Sequence, residues 1–361
     1  MSRSGRRLLA VFGARPSPVN RETPIGRSCD ERHGYYHDVI ALFIQRCFDA
    51  LANGIVYGSV ALALVIVYRA TGMLNVAQGE MATASAYIAL VLHTPATPAL
   101  AGTSLVASLI PFAPWPRWVA VFGALVAGAL IGGGTERFVI RRVADRSGFA
   151  VISVTVGVLL AINGLTEWLW RPVTRGFPPL FPNAARSYVG VFGARLRFNS
   201  LGVMGTIVVV LLFLAFVLRH TRLGLAFRAV SSDRAASELM GIRAGRITTI
   251  GWALAGAIGG LAACLVAPTV LLEPNMMVRV LIYSLVAATL GGLDSLGGAV
   301  LGGLVIGVSQ TMIAGYVGFL GSELSLPGAL AVMIAVLRSE EHTSELQSLA
   351  YLVCRLLLEK K

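Results

Sequence analysis

Apolar residues in this chain gather into long runs with almost no charge, rather than into the spaced stripes of half-buried helices or strands. Runs at about 47–69, 76–95, 99–113, 117–136, 149–170, 201–219, 246–268, 278–293, 297–319 and 324–337 approach the ~18 to 20 residues with which an α-helix, rising ~1.5 Å per residue, crosses a ~30 Å hydrocarbon core. The pattern predicts an all-α fold, a polytopic transmembrane helix bundle of about 8 to 10 spans carried by residues 39–337. The runs at 99–113, 278–293 and 324–337 are short, and read as tilted, re-entrant or, for the last, truncated.

Composition sharpens this reading. Hydrophobic residues make up 56% and charged residues 13% of the 361, where a soluble domain carries about 25% charged, so too few charges remain to wet a soluble surface. The net charge of +12 would point to nucleic acid in a soluble protein. Here the arginines sit between apolar runs and set membrane orientation instead. Arg137, Arg141, Arg142 and Arg146, and again Arg219, Arg222, Arg228, Arg234, Arg243 and Arg246, mark two cytoplasmic loops. The loop 171–200, with sparser arginines and with Pro172, Pro178, Pro179 and Pro182, reads as periplasmic. Counting back through four spans puts the N-terminus on the cytoplasmic side. Residues 1–38 read as a disordered basic tail or as a mis-called start, and 338–361 as a non-native segment resembling a translated sequencing adapter, with an amphipathic helix as the alternative.

Catalytic and metal-binding patterns are missing. Cys29, Cys47, Cys264 and Cys354 are scattered, and the sequence contains no HExxH or GxSxG. Lysine occurs only at Lys360 and Lys361, so no phosphate-binding loop ending in GK[ST] can form. If ATP drives transport, another subunit hydrolyses it.

Three segments carry mechanism. NVAQGE sets Asn75, Gln78 and Glu80 at the start of an apolar run, where a carboxylate costs about 2.5 to 3.5 kcal/mol on insertion scales unless it faces a bundle interior or a cavity. Its two readings are a lining of the solute path or gate, and a buried polar network that locks helices together. The basic loop 220–246 holds a helix-prone piece from about Ser232 to Met240, capped by Ser231 or Ser232, favoured by Asp233 at its positive end and stopped by Gly241. It suits docking of a partner. Residues 251–307 pair Gly256 with Gly260, Gly298 with Gly302 and Gly303 with Gly307, the spacing that lets helix backbones meet, and LGGLDSLGG could break a span in two.

Taken in order, these blocks resemble the permease subunits of ABC transporters for branched-chain amino acids over about residues 45–337. Asn53, Gly54, Ser59, Asn75, Gly79 and Glu80 keep the family's opening motif, with Val76 and Gln78 in place of its Phe and His. Asp233, Ala235, Ala236, Gly241 and Ile242 match its coupling segment, with Asp for Glu, and LGGLDSLGGAVLGG matches its late glycine-rich stretch. The resemblance implies an importer with two permease subunits (the second a sister chain), separate cytoplasmic ATPase subunits and a periplasmic solute-binding protein, in the bacterial inner membrane. It implies a coupling joint with Asp233 and Arg234 as polar contacts and Met240 and Ile242 as apolar anchors. No cofactor is expected in this chain; ATP belongs to the partner. A stand-alone secondary transporter or channel is the alternative, and would need intramembrane carboxylates or broken helices.

Overall fold

The computed structural model describes residues 30–94, 115–181 apart from 145 and 147, 188–191, 194–316, and positions 327, 328, 331, 334 and 338. Residues 20–308 form one compact unit, and residues 1–19 with 309–361 form another. The second unit is described only through 309–316 and the five isolated helical positions.

The long helices are α1 (Asp30–Thr71), α3 (Arg117–Phe138), α4 (Gly148–Trp170), α5 (Phe198–His220), α8 (Ala244–Val270) and α10 (Leu296–Tyr316). These six are long and apolar enough to cross a membrane. Two shorter helices, α2 (Gln78–His93) and α9 (Met276–Leu290), lie among them. The fold is the predicted all-α membrane bundle. The expected span at 99–113 lies outside the described residues, and that at 324–337 is described only at the helical positions 327, 328, 331 and 334. Helix α1 begins at Asp30, inside the segment read as a tail. The 171–200 loop adds a small antiparallel hairpin of β1 (Tyr188–Val191) and β2 (Ala194–Arg197).

The arginine-rich segments meet at one end of the bundle. Arg69, Arg219 and Arg228 line one cavity there with Asp294, and Arg141 and Arg234 line a second with Thr71. At the opposite end, the Arg117 guanidinium donates to the Pro179 carbonyl over 3.1 Å, and Arg175 pairs backbone with Leu272 in an isolated antiparallel bridge. Helix α1 ends at the arginine-rich end, and Asp49 in its first half lies within electrostatic reach of Arg197 on β2. The chain therefore enters α1 from the end opposite the basic loops, contrary to the expected orientation. The expected orientation counts four spans before the first arginine-rich loop, whereas three described helices, α1, α2 and α3, lead up to it. The Trp115 N–H donates to the Leu92 carbonyl over 2.9 Å, so α2 ends and α3 begins at one level and they are antiparallel neighbours.

Packing depends on glycine. The carbonyls of Gly128 on α3 and Gly256 on α8 each occupy the place where the other residue would carry a side chain, and Gly132 meets the Trp252 carbonyl in the same way. Gly260 approaches the Ala124 carbonyl and Ser85. On the other flank, Gly303 and Gly307 of α10 lie against Gly58 and Gly54 of α1, and Gly302 against the Ala287 carbonyl of α9. Gly291 and Gly298 close the turn between α9 and α10, where the Gly298 N–H donates to Ser295 Oγ over 2.9 Å. LGGLDSLGG thus makes a tight helical hairpin. Small residues that let backbones touch gain dispersion contacts where lipid offers no hydrophobic drive. Around these seams Leu62, Ile66, Met81, Ile140, Phe227 and Trp252 belong to one buried cluster.

One ion pair joins the seams at the arginine-rich end. Glu136, 3% exposed, accepts both Nε and Nη2 of Arg141 at 3.1 and 2.9 Å, and Arg141 also donates to Thr249 Oγ1 over 2.6 Å and to the Gly245 carbonyl. The arginine read as an orientation signal thus also ties the end of α3 to the first turns of α8.

Gly256→Leu is expected to destabilise the detergent-solubilised protein by ~1 to 3 kcal/mol, the usual cost of forcing volume into a packed core. Gly134→Leu, where no described atom lies within 4 Å, serves as the control and should melt within ~0.5 kcal/mol of the parent. Equal thermal shifts for the two would show that the α3–α8 seam does not depend on glycine.

Candidate functional site

Two places stand apart from ordinary packing: a junction within the bundle, and a pair of short helices at the arginine-rich end.

The junction arises because α2 does not start at the bundle's edge. Met73 lines a cavity with Thr248, near the start of α8, whereas the Gln78 amide donates to the Ala255 carbonyl over 2.8 Å. Seven helical residues separate Thr248 from Ala255, about 10 Å. Residues 72–77 cover that rise without helical structure. Non-helical backbone at such depth must find partners within the protein. Asn75 supplies one: its Oδ1 accepts from the Ala77 N–H over 3.1 Å, while its Nδ2 donates to the Gln78 side chain at Oε1 over 3.1 Å. Both side chains are 1% exposed. Asn75 and Gln78 thus join residues 72–77 to α8 by hydrogen bonds.

Helix α9 starts in a similar way. After α8 the chain passes Leu271 and Asn275, both with left-handed backbone at φ +72° and +65°, a conformation that costs a non-glycine residue ~1 to 2 kcal/mol. Met276 then opens α9. The first turns of α2 and α9 touch, since a side chain at Gly79 would meet Leu281 at 3.3 Å and the Met277 carbonyl at 3.5 Å. Two helix N-termini, the positive ends of their dipoles, so converge where Glu80 lies.

Glu80 is 1% exposed. Its Oε2 accepts from Asn163 Nδ2 over 3.1 Å, and Asn163 also donates to Asn275 Oδ1 over 2.8 Å, tying α2, α4 and the start of α9 together. Its Oε1 is buried and has no hydrogen-bond partner among the described residues. Helices α2 and α4 face each other in register. Seven residues on from the Glu80 and Asn163 contact, Tyr87 stacks on Trp170 with ring centroids 5.1 Å apart. Glu167, one turn past Asn163, acts electrostatically on Glu80. The Tyr87 hydroxyl, Trp170 Nε1 and Arg175 Nε are also buried without partners among the described residues, while Arg175 Nη2 donates to the Trp170 carbonyl over 2.7 Å.

At the arginine-rich end the expected loop is two helices, α6 (Arg222–Ser232) and α7 (Arg234–Leu239). Helix α6 buries Gly224, Phe227 and Val230 at helical spacing, and Phe227 reaches Gly251 of α8. The N-cap of α7 is Asp233 rather than a serine: its Oδ1 accepts from the Ala236 N–H over 3.0 Å. Ser231 instead donates to the Arg228 carbonyl, because α6 runs on to Ser232 and leaves Asp233 as the first residue with extended backbone. Gly241 ends the segment at φ +83°. Asp233, Arg234, Ala235 and Ala236 are exposed and Ile242 is half-buried. Arg234 pairs with Glu238 over 3.5 Å. Met240 is 83% exposed and its neighbour Leu239 89%, an apolar tip of which the sequence pattern marks only half. Leu239 has no motif to single it out; its exposure depends on where α7 stops. Asn163, Trp170 and Arg175 likewise escape a sequence reading as a group, since only the fold brings the end of α4 to Glu80.

Residues 47–337 match the family described as branched-chain amino acid transport system / permease component. The high-affinity branched-chain amino acid transport system permease protein LivH of Escherichia coli K12 is 24% identical over 306 residues, 82% of this chain and 92% of its own length. The corresponding BraD protein of Pseudomonas aeruginosa is 24% identical over 270 residues, 74% of this chain and 85% of its own. The ribose import permease protein RbsC of Escherichia coli K12 is 30% identical over 255 residues, 66% of this chain and 74% of its own. With the opening motif, the coupling segment and the glycine seams all inside the matched region, the chain belongs to the branched-chain amino acid transport system permease family.

Proposed function

We propose that the chain is the membrane-spanning subunit of an ATP-driven importer in a bacterial inner membrane, carrying branched-chain amino acids or related small polar solutes past the junction at Glu80. ATP is hydrolysed by separate cytoplasmic subunits seated on α7. A sister permease chain completes the path, and a periplasmic protein delivers the solute. The observation that carries this reading is the build of α6 and α7: an exposed apolar tip at Leu239 and Met240, on a short capped helix, joined to a helix keyed by Phe227 into α8. Displacement of the tip by a closing ATPase pair passes through α6 to α8, whose Ala255 carbonyl holds Gln78 and hence the start of α2. Rigid-body motion outside the membrane so reaches the junction.

One observation favours the secondary-transporter alternative. Two helices that begin within the bundle beside a buried carboxylate are a design of ion-coupled transporters. ATP dependence of uptake separates the two.

Gly241→Arg is expected to abolish solute-stimulated ATPase activity of the assembled complex while the melting temperature of the spans stays unchanged. Normal stimulation in that variant would remove α7 from coupling. Asp233→Ala removes the cap of α7, worth ~0.5 to 2 kcal/mol, and should weaken co-purification of the ATPase subunit without lowering expression. Glu80→Gln should slow ATP-driven uptake in proteoliposomes by about tenfold, equivalent to ~1.4 kcal/mol of barrier; uptake at the parent rate would place Glu80 outside the path.

A further inference from the structure

The junction holds more acceptor capacity than its own side chains use. Asn163 fixes the Glu80 carboxylate by one oxygen only, and the other, Oε1, is enclosed with no partner among the described residues. An ionised carboxyl has acceptor sites on both oxygens and no donor. A buried oxygen left without a donor incurs the full desolvation cost.

The charges around it share one sign. Glu167 lies one turn along α4 from Asn163, and Glu80, Glu167 and Glu273 all act on the Tyr87 hydroxyl of the same register. The cation acting there is Arg175, and Arg175 makes no ion pair with any of these carboxylates among the described residues. Instead it donates to the Trp170 carbonyl, at the outer end of α4. Asn275 contributes another acceptor, Oδ1, which faces Asn163. The inner end of the register is therefore rich in acceptors, and the outer end holds the buried donors Trp170 Nε1 and Arg175 Nε.

We propose that Glu80 Oε1, with Glu167 beside it and Asn163 as its positioning residue, is a subsite for the ammonium group of the translocated solute. An ammonium offers three donors and one positive charge, the complement of an enclosed carboxylate oxygen in an acidic surround. The donors at the outer end suit the carboxylate of a zwitterion as it approaches. Glu80 so acts as a station that favours solutes bearing a free amine over neutral ones. This rests on the importer reading of the junction and adds to it the chemical group that is recognised.

The test is carboxyl labelling of the whole complex, permease pair with ATPase subunits, in proteoliposomes. A membrane-permeant carbodiimide is applied and Glu80 adducts are read by peptide mass spectrometry, with Glu80→Gln as the blank. Leucine should suppress labelling. So should leucinamide, which keeps the ammonium and lacks the carboxylate, while 4-methylpentanoate, which keeps the carboxylate and lacks the ammonium, should leave it intact. Protection by 4-methylpentanoate equal to that by leucine, protection by sodium chloride alone, or no protection by any solute would overturn the proposal, as would failure of Glu80 to label at all. Loss of the importer reading shows differently, as ATP-independent uptake or a permease that purifies without an ATPase subunit, whatever the labelling.

Discussion

Hydrocarbon offers no hydrogen bonds, and most of this architecture derives from that single lack. Every backbone amide and carbonyl in the core needs a partner from the protein, so the chain is helical almost wherever it crosses. At 72–77 and near 271–275 it is not: there the Asn75 side chain accepts from the Ala77 N–H, the backbone of Leu272 pairs with that of Arg175, and amide side chains bond one another alongside. These amides explain the placement of Glu80. A carboxylate needs a polar surround to persist in the membrane, and the converging helix ends and Asn163 provide one.

The same lack governs how the helices adhere. With no water to expel between spans, close approach of backbones does much of the work. That is why the contacts at Gly128 with Gly256 and at Gly58 with Gly303 recur along whole helix faces, and why a carboxylate with a guanidinium, Glu136 and Arg141, can cross-link α3 and α8 where the bundle nears water.

Much of this is legible in the sequence, because the bilayer turns composition into structure in a simple way. Run lengths locate every described span to within a few residues, save that α1 starts earlier. The glycine pairs lie against neighbouring helices, but spacing does not say which helices, since it names one partner of a contact and only the fold names the other. Orientation fails at a single step. The count takes four spans before the first arginine-rich loop, whereas the described helices that lead to it are α1, α2 and α3, the last two antiparallel neighbours joined by Trp115 and Leu92. The cap of α7 fails for a local reason: serine and aspartate are near-equal N-caps, and the length of α6 decides between them. Glu80 is singled out by its cost in lipid. Its partner Asn163 on α4 is not, because it looks ordinary until α2 and α4 are set side by side.

The glycine contacts also sort the helices mechanically. Walls of side chains can repack as they slide, but two backbones in contact cannot move past each other without first lifting apart. By that measure α2, α3 and α8 are clamped into one block through Gly128, Gly132, Gly256 and Gly260, and α1, α9 and the first half of α10 into another through Gly54, Gly58, Gly302 and Gly303. Between the blocks, Gly79 meets α9 through the Leu281 side chain and the edge of a carbonyl. Gly251 of α8 likewise meets the Ile66 and Ala70 side chains of α1, so the two blocks adjoin chiefly through side chains, which can repack where backbones in contact would lock.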